Sequence, residues 1–395
     1  MRSSRTRIRR RRWRGSFQLM GGPFSYLSPS RADQWLGLGI GGNKFGTVIV
    51  ELDDVDERLQ GYFFAFEEEP DLPSIWGPLT VQKGIAKQKI TARLFPFDPY
   101  VGAAVVPERL QDRWPGVELP ETADLDLDFS DNLLRAKWTT SGASGSISTH
   151  SSYHPNVKKT GLPSKEISWS DFRDLSTQAR YGKFAYRGQA KNWPLRTSFH
   201  RTRRASLFTY FEVTVPSLHK ELAEQFPLGM SVATDMLYES ILFTAQHHGF
   251  PTPTLDWTYS SLVAAYFAYV DAEPTEDVYV YQFDLEEWSA DQAQTPGLVF
   301  HAPKLRFAQP FPSGNARQRP QHGLTMFSNI ADIQTAIRYF ESSKRKEYLR
   351  VYKLPATSRE TALSELMMMN ITPASLFPGL DGICKSARHR QFGFD

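Results

Sequence analysis

The stretch FAYRGQAKNWPLRTSFHR, residues 184–201, sets an arginine directly behind an apolar run and follows it with glycine and glutamine. FAYR (184–187) reads as a strand. An arginine carried into a protein interior is expensive unless an anion or a carboxylate meets it. Gly188 beside it permits a backbone geometry or a close approach that a larger residue would block. Two answers stay open for Arg187: a bound anionic ligand, or a buried ion pair with an internal acid such as Asp256 or Asp381.

Around this stretch helices and strands intermix. SWSDFRDL offers a serine N-cap at Ser168 or Ser170 with an acid in the first turn, which predicts a helix start. Residues 216–249 read as helical and end on Gly249, a C-cap. TPTLDWT (252–258) is a short strand or turn, and SSLVAAYFAYV (260–270) a helix rich in small residues. EDVYVYQFDL (276–285) is a strand, SSKRKEYLRVYKLP (342–355) contains another, and ALSELMMMN (362–370) is a helix whose methionines read as plastic core. The alternation is α+β rather than a repeat.

The preceding part is β-rich. FGTVIVEL (45–52), GYFFAFEE (61–68) and ITARLFPF (90–97) are short runs of aromatic and β-branched residues between proline and glycine clusters. DLDLDF (124–129) alternates acid and apolar residues as a half-buried strand does. LLRAKWTT, SGAS and GSISTH read as a hairpin. Strands at this spacing predict an antiparallel sandwich or barrel. The expected organisation is a basic tail (1–19), a β-rich domain (20–150), a linker (151–166) and an α+β domain (167–395).

The chain has 395 residues, 41% hydrophobic and 23% charged, within the soluble globular range. No apolar run reaches the ~18–20 residues of a spanning helix. One cysteine, Cys384, excludes a disulfide framework and fits a reducing cytoplasm. Eight arginines lie within residues 1–14; without them the net charge of +3 becomes −5. The basic character is thus a property of the tail, which is either a nucleic-acid or anionic-membrane contact or a disordered extension.

AQHHGFPTPTLDWT (245–258) is the densest cluster of chemistry. His247 and His248 sit at a helix end, and Asp256 and Trp257 follow on the next element. Histidines and an acid could ligate a divalent cation, but no HExxH or HxH spacing is present, so no metal site is assigned. The plainer alternatives are a helix cap and packed core histidines.

YRGQ, WPL, AQHHG, TLDWT followed by SLVAAYFA, RQRPQHG and ITPASLFPGLDGI, in this order over about 168–388, resemble the FRG domain, named for its (F/Y)RG signature. A second-order resemblance is to ADP-ribosyltransferases, where a first-strand arginine holds NAD, a Ser-Thr-Ser strand shapes the nicotinamide pocket, and a later glutamate polarises the ribose. Arg187 matches the first of these. Asp256 and Thr258 stand in place of the serines, and Gln318 and Gln321 stand where the glutamate is expected. Glutamine cannot supply that charge to an oxocarbenium-like transition state.

The resemblance implies a cleft in which Arg187, His248, Asp256 and Gln321 act on a nucleotide such as NAD, used as substrate. Tyr186, Gly188, Gln189, His247, Thr258, Tyr266 and Asp381 would bind the ligand. The activity would be ADP-ribosyl transfer or NAD cleavage, in a bacterial toxin or anti-phage effector whose β-rich domain meets a protein partner or target. A non-catalytic nucleotide sensor is the alternative, and a metal-dependent nuclease the second.

Overall fold

The structure, a computed structural model, describes residues 32–42, 44–69, 71–130, 132–152, 162–202, 204–222, 235–292, 297–309 and 319–394. The arginine-rich tail, most of the expected linker (153–161) and Gln318 lie outside the described residues. Among the described residues no helix is long and apolar enough to cross a membrane.

The β-rich part is a barrel. β1 (Asp33–Gly41), β2 (Lys44–Val55), β3 (Arg58–Glu67) and β4 (Ser74–Gln82) form an antiparallel meander. β5 (Lys87–Arg93) runs past Leu94 into β6 (Phe95–Asp98), followed by the short β7 (Ala103–Ala104). Then come β8 (Thr122–Ser130), β9 (Leu133–Thr139) and β10 (Ser144–Ser151). β5 pairs with β8 whereas β6 pairs with β4, so one bent segment joins the two ends of the sheet, while β10 pairs with β1. β1–β4, the bent β5–β6 segment and β8–β10 are thus the eight staves of a closed barrel. At the closure a Cβ on Gly77 would stand 2.1 Å from the Arg93 carbonyl oxygen; glycine lets the two backbones meet.

Alternation decides which side chains enter the barrel. Leu125, Leu127 and Phe129 of β8 join its core while Asp124 and Asp126 face solvent. Asp126 lies opposite Lys89 and Lys137. Such exposed pairs contribute about 0–1 kcal/mol each, so the apolar row holds the strand. The expected hairpin is β9–β10, in register from Leu133 opposite His150 to Thr139 opposite Ser144.

The remaining strands build a mixed sheet. β11 (Lys165–Glu166), β12 (Phe184–Gln189), β13 (Thr254–Thr258), β14 (Val278–Asp284), β15 (Leu305–Ala308), β16 (Gly323–Ser328) and β17 (Leu349–Leu354) lie in the order β11-β17-β14-β12-β13-β16-β15. Among the described residues only the β11–β17 pairing of this sheet is parallel. The class is α+β. The Ser261–Val270 helix covers one face, capped by the Ser260 hydroxyl, which accepts from Val263 N. Ser168 caps the Trp169–Gln178 helix through Asp171 N. The methionine run corrects the sequence reading: Leu366 is buried in the core, but Met368 and Met369 are 79% and 47% exposed at the end of the Arg359–Met368 helix.

Barrel and mixed sheet share a packed seam. Tyr62, Phe64, Phe66, Trp76 and Phe97 on the barrel's outer wall meet Phe208, Phe300, Ile330 and Ala336. Tyr62 and Phe208 have ring centroids 4.5 Å apart, and Trp76 and Phe208 5.0 Å. Polar groups pin the register. Gln34 Nε2 donates to Asn329 O (2.7 Å), and Ala331 N returns a bond to Gln34 Oε1 (2.8 Å). Asp53 Oδ1 accepts from Ala205 N and Ser206 N at 2.6 and 2.9 Å, and Glu51 Oε2 from Leu207 N at 2.8 Å.

Candidate functional site

β12 carries Tyr186-Arg187-Gly188 between two neighbours with which it pairs very differently. Six register pairs join it to β14, but a single pair, Tyr186 with Thr258, joins it to β13. The strands part beyond that pair. Arg187 reaches across the fork, and its Nη1 donates to the main-chain oxygen of Asp256 at 2.6 Å. A side chain thereby makes a bond that the ladder would otherwise have made.

The three residues of the signature do separate jobs. Consecutive strand residues face opposite ways, so Tyr186 is buried with Tyr266 and Val280 under the Ser261–Val270 helix, and its hydroxyl accepts from Gln282 Nε2. Gly188 also faces that helix: a Cβ there would lie 1.8 Å from the Ala264 carbonyl oxygen. Its lack of a side chain serves strand–helix contact rather than the approach of a ligand. Arg187 alone points to the other face, paired with Tyr281.

The charge on Arg187 is poorly compensated. Burial holds its pKa below the usual arginine value, Asp256 raises it, and the nearby Arg201 lowers it again. The residue keeps partial exposure, yet its Nε is sealed from water and has no hydrogen-bond partner. Among the described residues its hydrogen-bond acceptor is a neutral carbonyl. The Asp256 carboxylate is exposed, and its Oδ1 accepts from Gln246 Nε2 at 2.6 Å. Gln246 in turn accepts from the buried hydroxyls of Thr252 and Thr254, which fixes the end of the Asp235–His247 helix against β13.

The stretch after β12 adds to this positive environment. Burial depresses the pKa of Arg201. His200 is buried and held at about 3 by desolvation, with Arg196 adding to the effect. It is a neutral imidazole whose Nδ1 lies 2.7 Å from Thr197 Oγ1, and its Nε2 is buried without a partner. Tyr281 donates from its hydroxyl to Asn192 Oδ1 (2.7 Å), and Gln189 Nε2 donates to Trp193 O (3.0 Å), so both fasten the loop rather than face a ligand.

The other candidates divide. Thr258 and Gln321 stay beside the fork: Thr258 Oγ1 donates to Gln321 O at 2.7 Å. The Gln321 amide is turned away, donating to Leu376 O at 3.0 Å. His247 packs its ring edge-on against Phe243 at 4.5 Å. His248 is exposed in the helix-ending turn, where Gly249 takes φ +86° and Phe250 N returns to Ala245 O. Tyr266 is a core residue, 2% exposed. Asp381 is exposed in the first turn of the Leu380–Phe392 helix.

The geometry therefore gathers Arg187, Asp256, Thr258 and Gln321, together with Gln246 and Arg201. Sequence reasoning passed over the last two although both stood in the quoted stretches. Gln246 precedes the conspicuous histidine pair, and only the helix phase shows that it, not they, meets Asp256.

Residues 182–277 match the FRG domain family. The match contains the signature, the Asp235–His247 helix, β13 and the helix behind it. It ends just before β14, so RQRPQHG and ITPASLFPGLDGI lie beyond the matched residues. The FRG-domain match thus covers the fork and most of what builds it, and leaves the barrel outside. No curated protein and no solved structure matches the chain.

Proposed function

We propose that the FRG-matching part binds an anionic ligand of the nucleotide class at the fork between β12 and β13. One observation carries the reading: a half-buried guanidinium whose Nε is sealed from water without a partner, with a second arginine nearby and its Nη1 bonded to a neutral carbonyl. A diphosphate would meet that unbalanced charge with paired, charge-assisted hydrogen bonds. The nucleotide class itself comes from the resemblance to NAD-using enzymes, as does any role in a toxin or in anti-phage defence.

Binding is favoured over ADP-ribosyl transfer or NAD cleavage. Breaking the ribose–nicotinamide bond builds positive charge on the sugar, which a carboxylate must stabilise. Gln321 brings an amide that is already engaged. Asp256 is the acid at the fork, and it is the residue to test. The nuclease alternative finds no support in the site: among the described residues no three His, Cys, Asp or Glu side chains converge.

Calorimetric titration of the full chain with ADP-ribose and with NAD tests the proposal. Loss of a charge-assisted pair is worth about 1.5–3 kcal/mol, so Arg187→Ala should weaken binding by roughly 10- to 100-fold, with Arg187→Lys in between. Unchanged affinity in a folded Arg187→Ala protein would refute the reading. Chromatography for nicotinamide in the same mixtures separates the outcomes. Release that Asp256→Asn abolishes, with binding retained, would establish cleavage.

A further inference from the structure

Among the described residues the barrel is filled at one end and open at the other. Register places Trp35, Val50 and Phe63 side by side across β1, β2 and β3, facing inward. With Leu52, Leu59 and Val81 they close one end of the barrel. Further along the same inward rows the side chains shrink. Gly39 lies opposite Gly46, Gly41 opposite Gly145, and Ala65 opposite Val48. The walls there stand apart around a cavity of about 1020 Å³. An eight-stranded barrel is just wide enough to be filled by its own side chains or to hold one small ligand. Gly41 and Gly145 make room for the Trp138 ring, which a Cβ on either would meet at 2.7 or 2.6 Å, and the space left beside Ala65 and Ala136 selects the second outcome.

The wall is apolar: Val48, Leu94, Leu125, Leu134, Trp138 and Ile147 line it. Glu67 and Glu118, the charged side chains among the described lining residues, belong to the mouth, at the last residue of β3 and in the loop before β8. Hydroxyls of Thr140, Ser141 and Ser144 stand at the same rim. Ile40 and Phe45 at the β1–β2 end also line the cavity and remain 41% and 55% exposed, an apolar lip. A wall of this kind gives no hydrogen bond or counter-charge to an ionised group, and it draws apolar surface out of water. Its size stands at the upper end of the ~300–1,000 Å³ typical of small-molecule sites.

We propose that the barrel binds an uncharged, lipid-like molecule, its apolar body between β2 and β8 and its polar end at the hydroxyl-bearing mouth. The site is separate from the fork at Arg187 and does not rest on the reading of that fork.

The test is fluorescence titration of the full chain with the neutral probe N-phenyl-1-naphthylamine, followed by displacement with monoolein or with oleate. Saturable binding is expected, with monoolein displacing the probe at a concentration at least tenfold lower than oleate. Ala65→Phe and Ala136→Phe each place a ring in the cavity and should weaken probe binding at least tenfold with an unchanged far-ultraviolet dichroism spectrum. Should either lose its fold, Ala65→Leu and Ala136→Leu make the same test more mildly. Absence of saturable binding by the natural chain, or undiminished binding in a folded cavity-filled variant, overturns the proposal. Equal displacement by oleate overturns the uncharged class.

Discussion

Glu51 makes the seam between barrel and mixed sheet sensitive to pH. Its side chain is 3% exposed, and it accepts from Gln34 Nε2 at 3.2 Å and Leu207 N at 2.8 Å. Desolvation raises its pKa from 4.5 to about 8, against the lowering effect of those two bonds, and Asp53 nearby adds a smaller upward push. Between the two values the folded chain keeps a proton that the unfolded chain releases. Stability is therefore fully present below about pH 4.5 and declines as pH rises through about 8. One pKa unit corresponds to about 1.4 kcal/mol, so the decline is on the order of 1 kcal/mol per pH unit. Glu51→Gln keeps the size and an acceptor but removes the titration. Urea unfolding of both proteins at pH 5, 6, 7 and 8 isolates this group, because the other ionisations cancel in the difference. The natural chain should lose ground to the variant at each step up to about pH 8 and hold level above it. A difference that stays constant from pH 5 to 8 refutes the reasoning.

Further perturbations follow from the same contacts. Gly188→Ala should destabilise by about 1–3 kcal/mol or more, because its Cβ would meet helix backbone at 1.8 Å; a thermal melt reads this as a lower midpoint. Arg359 is buried and donates to Tyr269 O and Ala272 O at 2.6 and 2.8 Å, tying off the end of the Ser261–Val270 helix, and to Phe394 O at 2.7 Å. Arg359→Met removes all three bonds, although Tyr269 O keeps the bond from Asp271 N, and should cost about 1–3 kcal/mol in chemical denaturation.

The sequence makes local pairing legible and long-range closure illegible. DLDLDF and the β9–β10 hairpin were readable because alternation and turn chemistry lie within a few residues. Sandwich and barrel could not be separated. That choice turns on Leu94, where one apolar run bends so that its halves pair with β8 and with β4, far apart in sequence. ITARLFPF, a single strand by composition, is two by hydrogen bonding.

At the fork, Arg187 was visible as an expensive residue and Asp256 as a nearby acid. The form of their contact, guanidinium to main-chain oxygen, depends on strands that diverge after one pair, and no residue pattern encodes that. Tyr186 and Tyr266 drew attention as aromatic residues near the chemistry. Strand alternation and helix phase turn both into the core. LMMMN misled in the opposite direction, because apolar character marks a buried face only when the helix carrying it has another element to cover that side.

β2 serves as a party wall. Val48 and Val50 look into the barrel, while Ile49, Glu51 and Asp53 look out across the seam. Modularity suffers for it. Cutting the gene between residues 152 and 162 would yield two fragments with adhesive scars, Ile49, Phe64 and Phe66 on one and Phe208, Phe300 and Ile330 on the other. Shuffling the FRG-matching part onto another chain would require a replacement for that surface as well as a splice point. Each half expressed alone would therefore expose an apolar face that the other covers in the whole chain.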